Sequence, residues 1–427
     1  MAARSTPTRR PSGSWVRRRR SLVAVLVGFL ALLASACSSG SSAPPPSTSA
    51  TTTGAAASTG PTTGSTGLPS IRHVFVIVLE NEDYQNTFGS PSADPYLATT
   101  LPSEGALLTQ YHAIGHFSND NYIALISGQA PNPDNQGDCL HYVDFPPTAT
   151  TLPGGQITGS GCVFPSDIPT VAGQLDTAHL TWKAYMEDMG NVPSRESAVC
   201  GHPAIGSADG TQAAVPGDGY ATRHDPFVYF HSIIDDTALC DARVVPLGSP
   251  TGQLPGSAPA GTTGLVTDLK TVATTPNFSF ITPNLCNDGH DAPCVNQSAS
   301  DSAGTNVDAF LSTWVPLITG SPAFRKDGLL IVTFDEADAT GPSVDASACC
   351  NEQPGPASPQ PGVSGPGGGR TGTVLVSPFI APGTVSNVPY NHYSTLATIE
   401  TLFGLSRLGQ AATTSATFGR DVFTGTG

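Results

Sequence analysis

Four short polar runs follow apolar runs in this chain, and their residue types belong to metal chemistry. They are Glu80-Asn81, the stretch Asn284-Leu285-Cys286-Asn287-Asp288-Gly289-His290-Asp291, Asp335-Glu336-Ala337-Asp338, and Asn391-His392. Carboxylates and amides joined by one or two imidazoles suit a hard or borderline divalent cation. A fifth run, His112 to Gly128, places Ser118 just before an apolar helical pattern. A hydroxyl there can be a simple helix cap. It also faces the free N–H groups and positive dipole end that attract a phosphate. The acids after strands have a plain reading as helix caps, and the histidines as solvated loop residues. Four such runs at strand ends, with a hydroxyl to match, point instead to one site.

The intervening sequence shows what must position them. His73 to Leu79 is a continuous apolar run of the kind buried on both faces of a parallel sheet. Phe278 to Ile281, Leu329 to Phe334 and Thr373 to Ser377 are similar. Helical patterns lie at 121–127, 171–178, 266–273, 307–318 and 394–403. This alternation predicts an α/β fold with a mostly parallel central sheet and helices on both faces. In such sheets sites gather at the carboxyl ends of strands, where the polar runs fall. Regions 129–165, 190–222, 241–262 and 338–370 are rich in Gly, Pro, Ser and Asp and read as long loop insertions.

The first 70 residues read as export and tether. Arg17 to Arg20 precede an apolar stretch, Ser21 to Ala34, too short for a spanning helix and right for a signal peptide over 1–36. Leu33-Ala34-Ser35-Ala36-Cys37 resembles a bacterial lipobox, which implies a lipid on Cys37 and a place on the outer face of the cytoplasmic membrane or in the cell envelope. Cleavage after Ala36 without lipid is the simpler alternative. Arg19 to Val23 also partly resembles a twin-arginine signal. Residues 37–70, nearly all Ser, Thr, Gly, Ala and Pro, predict a disordered linker. The catalytic domain is expected over 71–427. Besides Cys37 there are eight cysteines, an even number that in an exported chain implies disulfides. Short loops favour Cys139–Cys162 and Cys286–Cys294.

Charge narrows the partners. Seven of the 18 basic residues precede position 37, where there is no acid. The remaining 11 face 33 acidic residues, a net of −22. So acidic a body excludes a nucleic-acid backbone binder. Few cations remain to neutralise a phosphate, which leaves that task to a metal and to backbone amides.

The run His73 to Gly89, with Glu80-Asn81, an aromatic and then Phe88-Gly89, resembles the opening of the bacterial phosphoesterase family that includes acid phosphatases and phospholipases C. The resemblance continues in order through Ser118 to Gly128, Trp182 to Glu187, His224 to Phe230, Asn287 to Asp291, Phe334 to Glu336, Ser377 to Phe379 and His392 to Ser394. It implies an alkaline-phosphatase-like fold and a divalent metal cation. Glu80, Asn81, Ser118, Asp335 and Glu336 would ligate the metal, Ser118 would be the nucleophile, and Asn121 would hold a phosphate oxygen. His290, with Asp288 or Asp291, and His392 would bind a second metal or protonate the leaving group. The substrate would be a phosphate mono- or diester, either a small molecule or a lipid head group. Asp120 stands where the family has Pro, which places a carboxylate near the phosphate. That departure keeps open an inactive cell-surface binding protein on the same fold. A sulfatase lacks support, because the Cys/Ser-x-Pro-x-Arg pattern is missing.

Overall fold

The computed structural model describes residues 68–298, 302–338, 344–413 and 416–423. Cys37, the signal peptide and nearly all of the linker lie outside the described residues. Leu68 to Ser70, assigned to the linker from composition, already join the folded part: Pro69 is buried and Leu68 packs on the core.

An eight-stranded sheet organises the chain. Its strands are β1 (His73–Leu79), β2 (Ala106–Leu108), β3 (Trp182–Met186), β4 (Val244–Pro246), β5 (Phe278–Thr282), β6 (Gly328–Phe334), β7 (Thr373–Val376) and β8 (Thr384–Ser386). Their spatial order is β8-β2-β7-β6-β1-β5-β3-β4. Every pairing is parallel except those of β7, which runs against both β6 and β2. The mostly parallel α/β sheet expected from the sequence is therefore present. The four apolar runs became β1, β5, β6 and β7. The other four strands, β2, β3, β4 and β8, are not legible as strands in the sequence. Val244 to Pro246 is only three residues long and sits in a stretch whose Gly and Pro content reads as loop.

β1 shows how the sheet is held. All seven of its residues are buried, and successive side chains point to opposite faces. Val74, Val76 and Val78 enter one core, while Phe75, Ile77 and Leu79 enter the other. The first core is covered by helices α1 (Ser118–Ser127) and α3 (His392–Phe403). The second is covered by α2 (Ala303–Thr319), through Val307, Phe310, Leu311, Trp314 and Ile318. The helical pattern at 266–273 forms only the single turn Leu265–Asp268. No helix among the described residues is long and apolar enough to cross a membrane.

Four disulfides pin the loops: Cys139–Cys162, Cys200–Cys240, Cys286–Cys294 and the adjacent pair Cys349–Cys350. The first and third are the pairs favoured from loop length.

Candidate active site

β1, β5 and β6 are parallel neighbours, so their carboxyl ends lie together. β1 ends into Glu80, β6 into Asp335-Glu336, and the loop after β5 brings Asp288. The Glu80 N–H donates to the Asp288 carbonyl at 2.9 Å, and the Asp335 N–H to the Leu79 carbonyl at 2.8 Å. The sheet register itself thus sets these carboxylates side by side.

Ser118 is the first residue of α1, and its Oγ donates to Glu80 Oε2 at 2.8 Å. It therefore does not cap the helix; the Asp138 carboxylate does, accepting the Asn119 N–H at 3.1 Å. Tyr122, one turn on, donates to Glu80 Oε1 at 2.8 Å. Asn81 has φ +56°, and its N–H donates to Asp335 Oδ1 at 3.1 Å, while the Glu336 N–H reaches the same oxygen at 2.6 Å. Asp335 Oδ2 and Glu336 Oε2 are buried without a hydrogen-bond partner.

His224 completes the cluster. Its Nε2 lies 3.4 Å from Glu80 Oε1 and its Nδ1 3.2 Å from Asp288 Oδ2. Neither contact has hydrogen-bond geometry, so both ring nitrogens and Asp288 Oδ2 are orphaned in a fully buried site. Stacking on the Tyr122 ring, at 5.1 Å and 3° between planes, fixes the imidazole. His224 lies in the resembling run His224 to Phe230, yet nothing in the resemblance implies a role for it. The signal available is local: His224 is followed by a helix-starting Asp-Pro and then by the apolar run Phe227 to Phe230.

Burial, then mutual repulsion with Asp335 and Asp288, pushes Glu80 well above the usual carboxylate range. Burial likewise raises Asp288 and Glu336, and raises Asp335 to about 6. Burial and then the Arg223 charge hold His224 well below its ordinary value. Four crowded carboxylates, a neutral imidazole and several unsatisfied ligand atoms suit a divalent cation, which compensates what the protein leaves uncompensated. Glu80, His224 and Asp288 offer ligand atoms within 4.8 Å of one another, with Asp335, Glu336 and Ser118 beside them.

Other expected residues are placed differently. Asn121 does not face the cleft. Its Oδ1 accepts from the Ile114 and Gly115 N–H groups at 2.8 and 3.1 Å, and its Nδ2 donates to the Gly115 and Phe117 carbonyls. With all its capacity used, it shapes the turn before Ser118 and is not free to hold a phosphate oxygen. His392 is fully buried, with Nε2 on the Asp335 carbonyl at 2.6 Å and Nδ1 near the Tyr111 hydroxyl at 3.0 Å. It props the strand end and is spent as a proton donor. Asp291 turns to His290 Nδ1 at 2.8 Å and leaves the carboxylate group. His290 lines the cleft, but Arg223 donates to its Nε2 at 3.0 Å. A guanidinium only donates, so the His290 proton sits on Nδ1, facing Asp291. Asp120 is buried beneath Gly115, where an added Cβ would lie 2.4 Å from its Oδ2. It does not line the cleft, so the carboxylate expected near the phosphate points elsewhere.

The cleft above this floor encloses about 660 Å³. Asn81, Ser118, His290, Glu336 and His116 line it, with Phe117 and Val363 on its walls. No Lys or Arg is among its lining residues.

A model of the phosphoesterase family matches residues 90–406. The chain belongs to the phosphoesterase family. The matched span holds every candidate residue described above except Cys37, Glu80 and Asn81. Among curated relatives, a phosphate-repressible acid phosphatase of Penicillium chrysogenum is 29% identical over 353 residues, which is 82% of this chain and 63% of that enzyme. The chain thus spans less than two thirds of that relative's length. A phosphatidylinositol-3-phosphatase of Mycobacterium tuberculosis is 25% identical over 347 residues, covering 81% of this chain and 82% of that one. Among solved structures, an alkaline phosphatase superfamily protein from Vibrio parahaemolyticus gives a TM-score of 0.44 at 13% identity, over 80% of this chain and 68% of that one. The lipoteichoic acid synthase of Listeria monocytogenes gives 0.43 at 11%, over 80% and 74%.

Proposed function

We propose that this phosphoesterase is an exported hydrolase, anchored by lipid at Cys37, that cleaves phosphate mono- or diesters with a divalent cation and a phosphoserine at Ser118. The observation that carries the reading is the placement of Ser118 Oγ, 2.8 Å from Glu80 Oε2 at the floor of an open cleft, beside buried ligand atoms with no partner. Family membership and the acid phosphatase relatives support the reaction class.

Glu80, His224, Asp288, Asp335 and Glu336 would hold the cation, which when bound neutralises phosphoryl charge and lowers the pKa of a neighbouring hydroxyl. Ser118 Oγ already points its proton at Glu80, so the carboxylate accepts that proton as the oxygen attacks phosphorus. The Oγ–P bond forms, the bond from phosphorus to the ester oxygen breaks, and the leaving alkoxide takes a proton from solvent at the open mouth. Water then attacks the phosphoserine and gives one proton to solvent, the Oγ–P bond breaks, phosphate leaves, and Glu80 returns its proton to Ser118 Oγ. At the start of α1 the Asn119 N–H is held by Asp138 Oδ1 at 3.1 Å, so an incoming phosphoryl must displace that carboxylate to use it. Asn121 holds the turn before Ser118. The Arg223–His290–Asp291 chain keeps a cation near the carboxylates and fixes the His290 tautomer.

Chelation followed by add-back of single cations, with p-nitrophenyl phosphate as substrate, tests this. Turnover should vanish on exhaustive chelation and return with one cation. Full turnover in a verified metal-free sample contradicts it.

A further inference from the structure

Glu82 also lines a second cavity, of about 180 Å³. Glu82, Asn86, Thr87, Ser92 and Asp94 line one wall, and the first turn of α2 lines the other. Asp94 is 3% exposed and Thr87 5% exposed, yet Asp94 Oδ2 and Thr87 Oγ1 have no hydrogen-bond partner. The other Asp94 oxygen accepts from the Leu97 N–H at 3.0 Å. Asp94 also faces the Asp308 carboxyl, whose Oδ1 takes the Tyr96 N–H at 2.7 Å. Burial, then the neighbouring Asp308, pushes Asp94 up to about 8.

Two facing carboxyls need something positive between or beside them. A shared proton would satisfy Asp94 and Asp308, but it leaves Thr87 Oγ1 without a partner and Glu82 with only the Asn86 amide beside it. No Lys or Arg lines the cavity. The positive end of α2 offers about half a charge at most, and the Ser302 side chain already caps it. The polar side chains among the lining residues carry only oxygens and one amide, with no sulfur or imidazole. That is the preference of a hard cation with water in its remaining positions.

We propose that this cavity binds a divalent cation of the calcium type on Asp94, Thr87 and Glu82, separate from the catalytic centre. Bound there, the ion ties the segment after β1 to the start of α2. It also places positive charge against Glu82, which borders the catalytic cleft as well.

The test is calcium titration of the full chain by calorimetry and thermal unfolding, in wild type, Asp94→Asn, Thr87→Val and the double variant Glu80→Gln/Asp288→Asn. Wild type should gain a few degrees of Tm at ~100-fold excess over Kd. The double variant, with its catalytic donors disabled, should still bind one calcium ion. Asp94→Asn should bind one ion fewer than wild type, or bind it at least ten-fold more weakly, and Thr87→Val should weaken the same site. Equal stoichiometry and affinity in wild type and Asp94→Asn would mean a shared proton only and would overturn the proposal. If Asp94→Asn does not fold, Thr87→Val carries the same comparison. A folded double variant that binds no calcium overturns it as well.

Discussion

Glu400 lies in the middle of the buried face of α3, and its charge state should set how stability depends on pH. It is fully buried; one oxygen accepts the Leu408 N–H at 2.9 Å and the other has no partner. Burial raises its pKa to about 8, against the opposing pull of Leu408 and Arg407. A carboxyl raised on folding binds more protons in the native than in the unfolded state. Its contribution is therefore fully present below the ordinary carboxylate pKa, is lost as pH rises, and is gone once pH passes about 8. At ~1.4 kcal/mol per unit, the loss between pH 5 and pH 9 is on the order of 3–5 kcal/mol. Glu400→Gln keeps the acceptor for Leu408 and leaves its two amide N–H donors unpartnered, where the protonated acid leaves one O–H. It should match wild type at pH 5, within about 1 kcal/mol. At pH 9 it should melt higher by roughly 4–7 °C. Thermal unfolding of both proteins from pH 4.5 to 9 is the assay. A Tm difference that stays constant across that range refutes the reasoning, because then Glu400 does not change charge on this scale.

Other outcomes follow from the same geometry. Asn121→Ala removes four hydrogen bonds from the turn before Ser118 and should cost about 2–4 kcal/mol with a fall in kcat, measured by thermal unfolding and p-nitrophenyl phosphate turnover. A variant that is as stable and active as wild type would show that the turn holds itself. His224→Ala should fold but lose at least ten-fold in affinity for the catalytic cation, read as bound metal by elemental analysis; unchanged metal content contradicts its place in the centre. With no Lys or Arg lining the cleft, substrates bearing a second phosphate should show lower kcat/KM than p-nitrophenyl phosphate, and the opposite order would contradict that. The mature N-terminus should be a lipid-modified Cys37 by mass spectrometry; an unmodified Cys37 or a start elsewhere counts against the anchor.

The strands that carry the site were legible because β1, β5 and β6 are fully buried, and full burial writes a continuous apolar run. β3 and β4 lie toward the edge of the sheet, and β4 is too short to leave a pattern. Glu80, Asp288, Asp335 and Glu336 could be read because carboxylates after buried strands stand out against so apolar a background. What the sequence hid was direction. Asn121 and His392 have the right chemistry and lie within a few residues of the site, but each spends its polar atoms on backbone groups. His224 comes from a loop after neither β1, β5 nor β6, so strand-end reasoning could not reach it. Asp120 looked like an intruder in the phosphate site, and the helix turn sends it beneath Gly115 instead.

The central claim is that Ser118 attacks phosphorus, and turnover by Ser118→Ala tests it most directly. The residue makes one side-chain hydrogen bond, to Glu80, and caps nothing, so its loss should leave the fold intact by circular dichroism. With the catalytic cation supplied, the account predicts a fall in kcat of at least ~1000-fold on p-nitrophenyl phosphate. A folded Ser118→Ala enzyme that keeps kcat within ten-fold of wild type would contradict it and assign the attack to water.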